Sequence, residues 1–138
     1  MMAGYGRSDE EWGRLTSVGL EFLVERARLE KTTTYTELNV TLRRRAGLQG
    51  FDFDQDSERA AMGHLLGLIV EGNRPTTNLL ISALVQYLNI NDAGPGFYTL
   101  AVELGMLSRR SSAMAKQDFW IGQINALYAF YAVRRSGV

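Results

Sequence analysis

Four of the 15 acidic residues of this sequence form a compact group. Four acids alternate between Asp52 and Glu58, and clustered carboxylates are the ligands that hard cations such as Ca²⁺ prefer. The spacing departs from a calcium-binding EF-hand loop, because Ser57 stands where that loop needs glycine and Gly63 stands where it needs a bidentate glutamate. We therefore expect a solvated loop that caps the next helix, and no metal site.

Few other residues could carry out catalysis. The only histidine, His64, lies among apolar residues at helical spacing, which is typical of a core or boundary position. The chain has no cysteine, so thiolate nucleophiles and thiolate metal sites are excluded. Gly94-Pro95-Gly96 lacks the spacing and the lysine of a phosphate loop. We predict a non-enzymatic protein without a cofactor and without an evident small-molecule substrate.

The basic side chains point to a different chemistry, the binding of phosphate groups. The net charge is 0, with 15 Lys and Arg against 15 Asp and Glu, so overall charge does not favour nucleic acid. The arginines are nevertheless clustered, and local positive patches are compatible with a neutral chain. The residues predicted to contact DNA are Arg43, Arg44, Arg45, Arg59 and Arg74.

Helical patterns position these residues. Ser8 and Glu11 form a capping box that begins an amphipathic helix extending to about Leu29. Thr34 and Glu37 form a second capping box, for a helix that ends at Gly47. The acidic loop follows, and Asp56 or Ser57 is predicted to cap a third helix, from Glu58 to about Gly72.

The second half of the chain begins with an apolar run, Leu79 to Leu88, which predicts a buried central strand. A turn rich in Asn and Gly leads to a short helix, Phe97 to about Leu107, and a final helix covers Ala113 to Arg134. Aromatic and aliphatic residues cover most of the final helix. Two explanations stay open: burial against the first helix, or contact with a protein partner or a second copy. The predicted contact residues are Phe119, Trp120, Ile124, Leu127 and Tyr131.

Length and composition set the class of the protein. A chain of 138 residues, with 46% hydrophobic and 22% charged residues, predicts a single domain spanning 1–138. Residues 1–7 are expected to be flexible, and 113–135 to form the C-terminal helix. No segment resembles a signal peptide or a membrane span. We expect a cytoplasmic protein without membrane contact.

The order helix, short strand, helix, loop, helix, strand is that of a winged helix. The fold class is therefore predicted as mainly α with a minor β component: a winged-helix-like helix-turn-helix and small sheet, flanked by an N-terminal helix and a long apolar C-terminal helix. The motif resembles the DNA-binding domain of alkylguanine alkyltransferases at five positions and implies DNA contact: Tyr35, Leu38, Arg59, Ala60 and Gly63. Ile81-Ser82-Ala83-Leu84 replaces that family's Pro-Cys-His-Arg, so alkyl transfer is excluded.

A second resemblance is to bacterial, especially actinobacterial, winged-helix-like proteins that have no assigned activity. Thr34 to Asn39, Ser82 to Val85 and Asp92 to Tyr98 carry this resemblance, which implies a fold more than a function. The first functional hypothesis is double-stranded DNA binding, although acids beside Arg59 and the apolar third helix count against it. The alternative is a protein-interaction module or homodimer that uses the C-terminal helix.

Overall fold

The computed structural model describes residues 4–87 and 92–136, with side chains to 132. Helix α1 spans Asp9–Arg28 and begins with the predicted capping box: Ser8 Oγ accepts a hydrogen bond from the Glu11 amide, and the Glu11 carboxylate accepts one from the Ser8 amide. Its buried side chains recur at helical spacing, so α1 presents one apolar face to the core. These residues are Trp12, Leu15, Phe22, Leu23 and Ala27.

Helices α2 and α3 follow, and each ends with a residue in the left-handed conformation. Helix α2 spans Tyr35–Ala46 and ends at Gly47, with φ 68°. Helix α3 spans Asp56–Thr77 and ends at Asn78, with φ 60°. The predicted end of α3 near Gly72 was too early, because the helix continues through Pro75, which removes only the hydrogen bond that its own N–H would have donated to the Glu71 carbonyl. The predicted Asp56 or Ser57 cap was also wrong: Gln55 occupies that position without a side-chain cap.

The middle of the central apolar run, Ile81–Leu84, is a 3-10 helix rather than a strand. Only Val85–Gln86, β2, is extended, and it pairs in parallel with β1, Thr33–Thr34. The predicted strand from Leu79 to Leu88 was therefore wrong in type over most of its described length. Its buried position was right: every residue from Leu80 to Val85 is at most 5% exposed.

Two helices complete the structure. Helix α4 spans Pro95–Glu103, with Pro95 at its first turn, and helix α5 spans Ala113–Ser136. Helix α1 packs on α2, α3 and α5, and the 3-10 segment packs on α1, α3 and α5. The predicted mainly α fold with a minor sheet is confirmed. Membership of a winged-helix family stays a prediction. Gln86 of β2 also forms an isolated antiparallel bridge with Ala93.

Side chains of α5 hold the central segment in place. Trp120 Nε1 donates to the Ala83 carbonyl over 2.8 Å, and Gln123 Oε1 accepts from the Leu80 amide over 2.8 Å. A short 3-10 turn leaves backbone groups without partners, and buried groups of this kind need other partners. The last helix therefore supplies polar contacts as well as apolar packing to the middle of the molecule.

Candidate functional site

The three arginines at the end of α2 differ in their surroundings. Arg45 donates to both carboxylate oxygens of Glu25 on α1, over 2.7 and 3.0 Å, and lies 4.0 Å from a Glu21 oxygen. The hydrogen bonds from Arg45 hold the pKa of Glu25 below its ordinary value. Arg45 is therefore largely neutralised by α1, which leaves Arg43 and Arg44 as the exposed cations of this turn outside the ion pairs found among the described residues.

Arg43 and Arg44 border a concavity of about 700 Å³ formed with the loop that follows α2. The loop is fixed by Asn39, whose side chain donates to the Phe51 carbonyl over 2.9 Å and accepts from the Phe51 amide over 2.8 Å. Gly50 passes close beneath, since a Cβ there would lie 2.6 Å from Cγ of Arg43. None of the ion pairs found among the described residues involves Arg43 or Arg44.

The other two predicted arginines lie elsewhere. Arg59, in the first turn of α3, donates to the Asp56 carboxylate and to the Phe53 carbonyl. Arg74 lies in the last turn of α3 and is partly buried. At about 1.5 Å per residue, Arg59 and Arg74 are about 22 Å apart along the helix axis. The structure therefore brings Arg43 and Arg44 together but does not gather the five arginines on one surface.

The acidic loop is organised by hydrogen bonds within the chain. Arg7 donates to both Glu58 oxygens, over 2.9 and 3.1 Å, and these bonds hold the pKa of Glu58 below its ordinary value. Asp52 accepts from the Gln55 side chain and the Asp54 amide. Among the residues that the structure describes, no group of acids and histidine is placed to hold a metal ion.

The N-terminal segment contributes to this arrangement. Residues 4–7, expected to be flexible, are held by the Arg7–Glu58 ion pair and by a 3.0 Å hydrogen bond from Trp12 Nε1 to the Gly4 carbonyl. Residues 1–3 lie outside the described part of the chain. Sequence reasoning missed Arg7 because its partner is 51 positions away.

Four of the five predicted partner-contact residues on α5 are buried within the protomer. They recur at helical spacing and form the stripe that faces the core: Trp120, Ile124, Leu127 and Tyr131. Tyr131 also accepts a 2.8 Å hydrogen bond from the Asn73 side chain. Phe119 is partly buried, with its ring centroid 5.9 Å from that of Phe97. Packing inside the chain accounts for this apolar stripe.

A second concavity was not predicted. It has a volume of about 510 Å³ and lies between α3 and α4, with Gly63 and Gly67 on one side, Phe97 and Leu100 on the other, and Ser82 beneath. The four-residue spacing of Gly63 and Gly67 was the signal in the sequence. His64 borders the same groove; it is exposed on α3 rather than in the core, and its ring centroid lies 4.8 Å from that of Trp12.

The comparisons do not assign a family to this chain. In the described part of the chain, no helix combines the length and apolar character needed to cross a bilayer. Comparison with protein-family models, with curated proteins and with solved structures found no match.

Proposed function

We propose that this chain is a non-enzymatic protein that binds double-stranded DNA through the end of helix α2. The observation that supports the proposal is the pair of exposed arginines, Arg43 and Arg44, beside an open concavity and outside the ion pairs found among the described residues. Arginine forks bind phosphate oxygens bidentately. Arg45, Arg59 and Arg74 are left out of the proposed contact because the chain itself engages or partly buries them.

The proposed contact is with the DNA backbone rather than with base edges. Among the exposed residues of α3, Ala60 and Gly63 offer no side-chain hydrogen bonds to bases, Arg59 is engaged by Asp56, and His64 lies against the Trp12 ring. Contacts to phosphates position a protein without reading sequence. The proposal therefore specifies weak binding with little sequence preference. A DNA-binding role is also consistent with the predicted cytoplasmic location, because the proteins that the sequence resembles are bacterial and bacterial DNA lies in the cytoplasm.

Fluorescence anisotropy with a labelled random duplex tests the proposal. Two phosphate contacts give a salt slope of about −1.8, so raising salt from about 50 to 200 mM is expected to weaken binding by about tenfold. The double variant Arg43→Ala/Arg44→Ala is expected to lose binding. Arg109→Ala/Arg110→Ala removes the same charge from exposed positions elsewhere and is expected to keep binding.

Asp52 provides a test of the opposite sign. Its exposed carboxylate borders the same concavity and repels phosphate. Asp52→Asn is expected to tighten binding, because it removes that negative charge and an amide oxygen still accepts the Asp54 amide hydrogen bond.

The alternative proposal, a protein-interaction module or homodimer that uses α5, predicts a different result in the same samples. Absence of duplex binding at both salt concentrations would contradict the DNA proposal. A molecular mass in size-exclusion chromatography that corresponds to two or more chains, and that does not change with salt, would instead favour self-association. The surface for it would have to include exposed residues of α5 such as Met114 and Ile121, which are 75% and 44% exposed.

A further inference from the structure

The groove between α3 and α4 is separate from the proposed DNA contact. None of its lining residues borders the concavity beside Arg43 and Arg44. Its α3 wall is low because Gly63 and Gly67 lack side chains, and a Cβ at either position would meet nothing within 4 Å. The glycines are therefore not required by close packing within the described chain, and they leave open a space that a ligand can occupy.

Ser82 gives this groove an unused polar group. The residue is 5% exposed and lines the groove, and its Oγ has no hydrogen-bond partner among the described residues. Its chain neighbours Ile81 and Ala83 are fully buried. Buried hydroxyl groups in native proteins nearly always have partners, so an unpartnered one in a residue that lines a groove is suited to a partner from outside the chain.

A second unpartnered atom lies in the adjoining concavity. Arg74 Nε is buried without a hydrogen-bond partner among the described residues. Arg74 lines a space of about 460 Å³ that shares Gly67, Glu71 and Leu100 with the groove. The two unpartnered buried side-chain atoms found in the described residues therefore belong to residues that line two neighbouring concavities along α3 and α4.

The charges and apolar surface of the groove select the class of ligand. Glu71 and Glu103 are exposed on its two helices, and no lysine or arginine lines the part that contains Ser82. Phe97 and Leu100 supply apolar surface. Carboxylates beside an apolar wall favour a cation with an apolar body and disfavour phosphates and carboxylates.

We propose that this groove binds a small organic cation, with an aromatic or aliphatic body and an amine or amidine group. The body packs on Phe97 and Leu100, and the N–H groups donate to Ser82 Oγ and to the carboxylates of Glu71 and Glu103. The glycines at positions 63 and 67 make room for the body beside α3.

Benzamidine is a suitable probe, with benzoate as the anion of similar shape and benzyl alcohol as the neutral compound. Amide chemical shifts in two-dimensional NMR report the location of binding. Benzamidine is expected to shift the amides of Gly63, Gly67 and Ser82, with a Kd on the order of 1 mM, which is ordinary for so small a molecule. Benzoate and benzyl alcohol are expected to bind at least about fivefold more weakly, because neither brings a positive charge to the carboxylates.

Three variants separate a binding role from a structural one. Ser82→Ala is expected to weaken benzamidine binding by about fivefold while the apo protein becomes no less stable, because the variant removes a hydroxyl that has no partner. Glu103→Gln is expected to weaken it similarly, whereas Asp118→Asn, an exposed change on α5, is expected to have no effect. Gly67→Leu is expected to abolish binding and keep the fold, because leucine is a better helix former and the space is open.

Several results would overturn the proposal. These are equal shifts by benzamidine and benzoate, shifts located outside the groove, or unchanged binding in Ser82→Ala and Gly67→Leu when circular dichroism shows both folded. The Arg43→Ala/Arg44→Ala variant is expected to bind benzamidine normally, so failure of the DNA proposal and failure of this one are distinguishable.

Discussion

Neighbouring residues of the same type have different roles at the end of α2. Successive residues of a helix point about 100° apart, so three arginines in a row cannot face the same way. All three are exposed, but Arg45 faces α1 and pairs with Glu25, while Arg43 and Arg44 take part in none of the ion pairs found among the described residues. The arginine run predicted a basic helix end, but which arginines stay available depends on the position of α1.

The Arg7–Glu58 pair is the residue-scale feature with the clearest pH dependence. The side chains are 12% and 18% exposed, and Arg7 also lies over the Phe51 ring, 4.1 Å from its centroid. Glu58→Gln is expected to lower the free energy of unfolding by about 2 kcal/mol near neutral pH, as is typical of hydrogen bonds to charged groups. Urea denaturation measures this change.

The sign of the pH dependence follows from the lowered pKa of Glu58. A carboxylate with a lowered folded-state pKa stabilises the protein fully above its ordinary value of 4.5, and that contribution is lost as pH falls through the folded-state pKa. The difference between wild type and Glu58→Gln should therefore shrink on acidification. A difference that stays constant down to about pH 3 would contradict the ion-pair assignment. Asp118→Asn is the matched control.

At the scale of elements, α1 and α3 approach closely at one glycine. A Cβ on Gly19 would lie 2.7 Å from Cδ1 of the buried Ile69, whereas one on Gly13 of the same helix would meet nothing within 4 Å. Alanine at an exposed helical glycine stabilises a protein by up to about 1 kcal/mol. Overpacking in a core costs about 1–3 kcal/mol.

This difference makes a paired prediction. Gly13→Ala is expected to raise the free energy of unfolding by about 0.5–1 kcal/mol, and Gly19→Ala to lower it by about 1 kcal/mol because Ile69 must move. Thermal denaturation of both variants measures the two changes in stability, which arise on the same helix. Equal stabilisation by the two substitutions would show that Ile69 moves away without cost.

The central segment is an element whose type could not be predicted from the spacing of apolar residues. The apolar run before the Asn- and Gly-rich turn predicts burial whether it forms a strand or a 3-10 helix, because a segment buried on all sides has no polar face to mark its period. The outcome was set by packing against three helices and by hydrogen bonds from Trp120 and Gln123. These partners lie near the other end of the chain.

At the scale of the whole molecule, α5 is a core element. Leu127 is fully buried inside the protomer, so Leu127→Ala is expected to lower the free energy of unfolding by about 3 kcal/mol. The loss should be the same at about 5 and 200 µM protein, because stability depends on concentration only when folding is coupled to association. Calorimetry at the two concentrations provides the measurement. A loss that changes with concentration would instead place Leu127 at a contact between chains.

The sequence alone determined the features that depend on neighbouring residues. The Ser8 capping box, the end of α2 at Gly47 and the amphipathic face of α1 arise from contacts a few positions apart, and all three are confirmed. The mainly α fold class follows from such patterns.

Only the tertiary structure decided the features that depend on distant residues. It paired Arg7 with Glu58 and Arg45 with Glu25, turned the apolar stripe of α5 inward, and placed Ser82 beneath the groove between α3 and α4. Each of these involves residues far apart in the chain, and local spacing carries no information about such contacts.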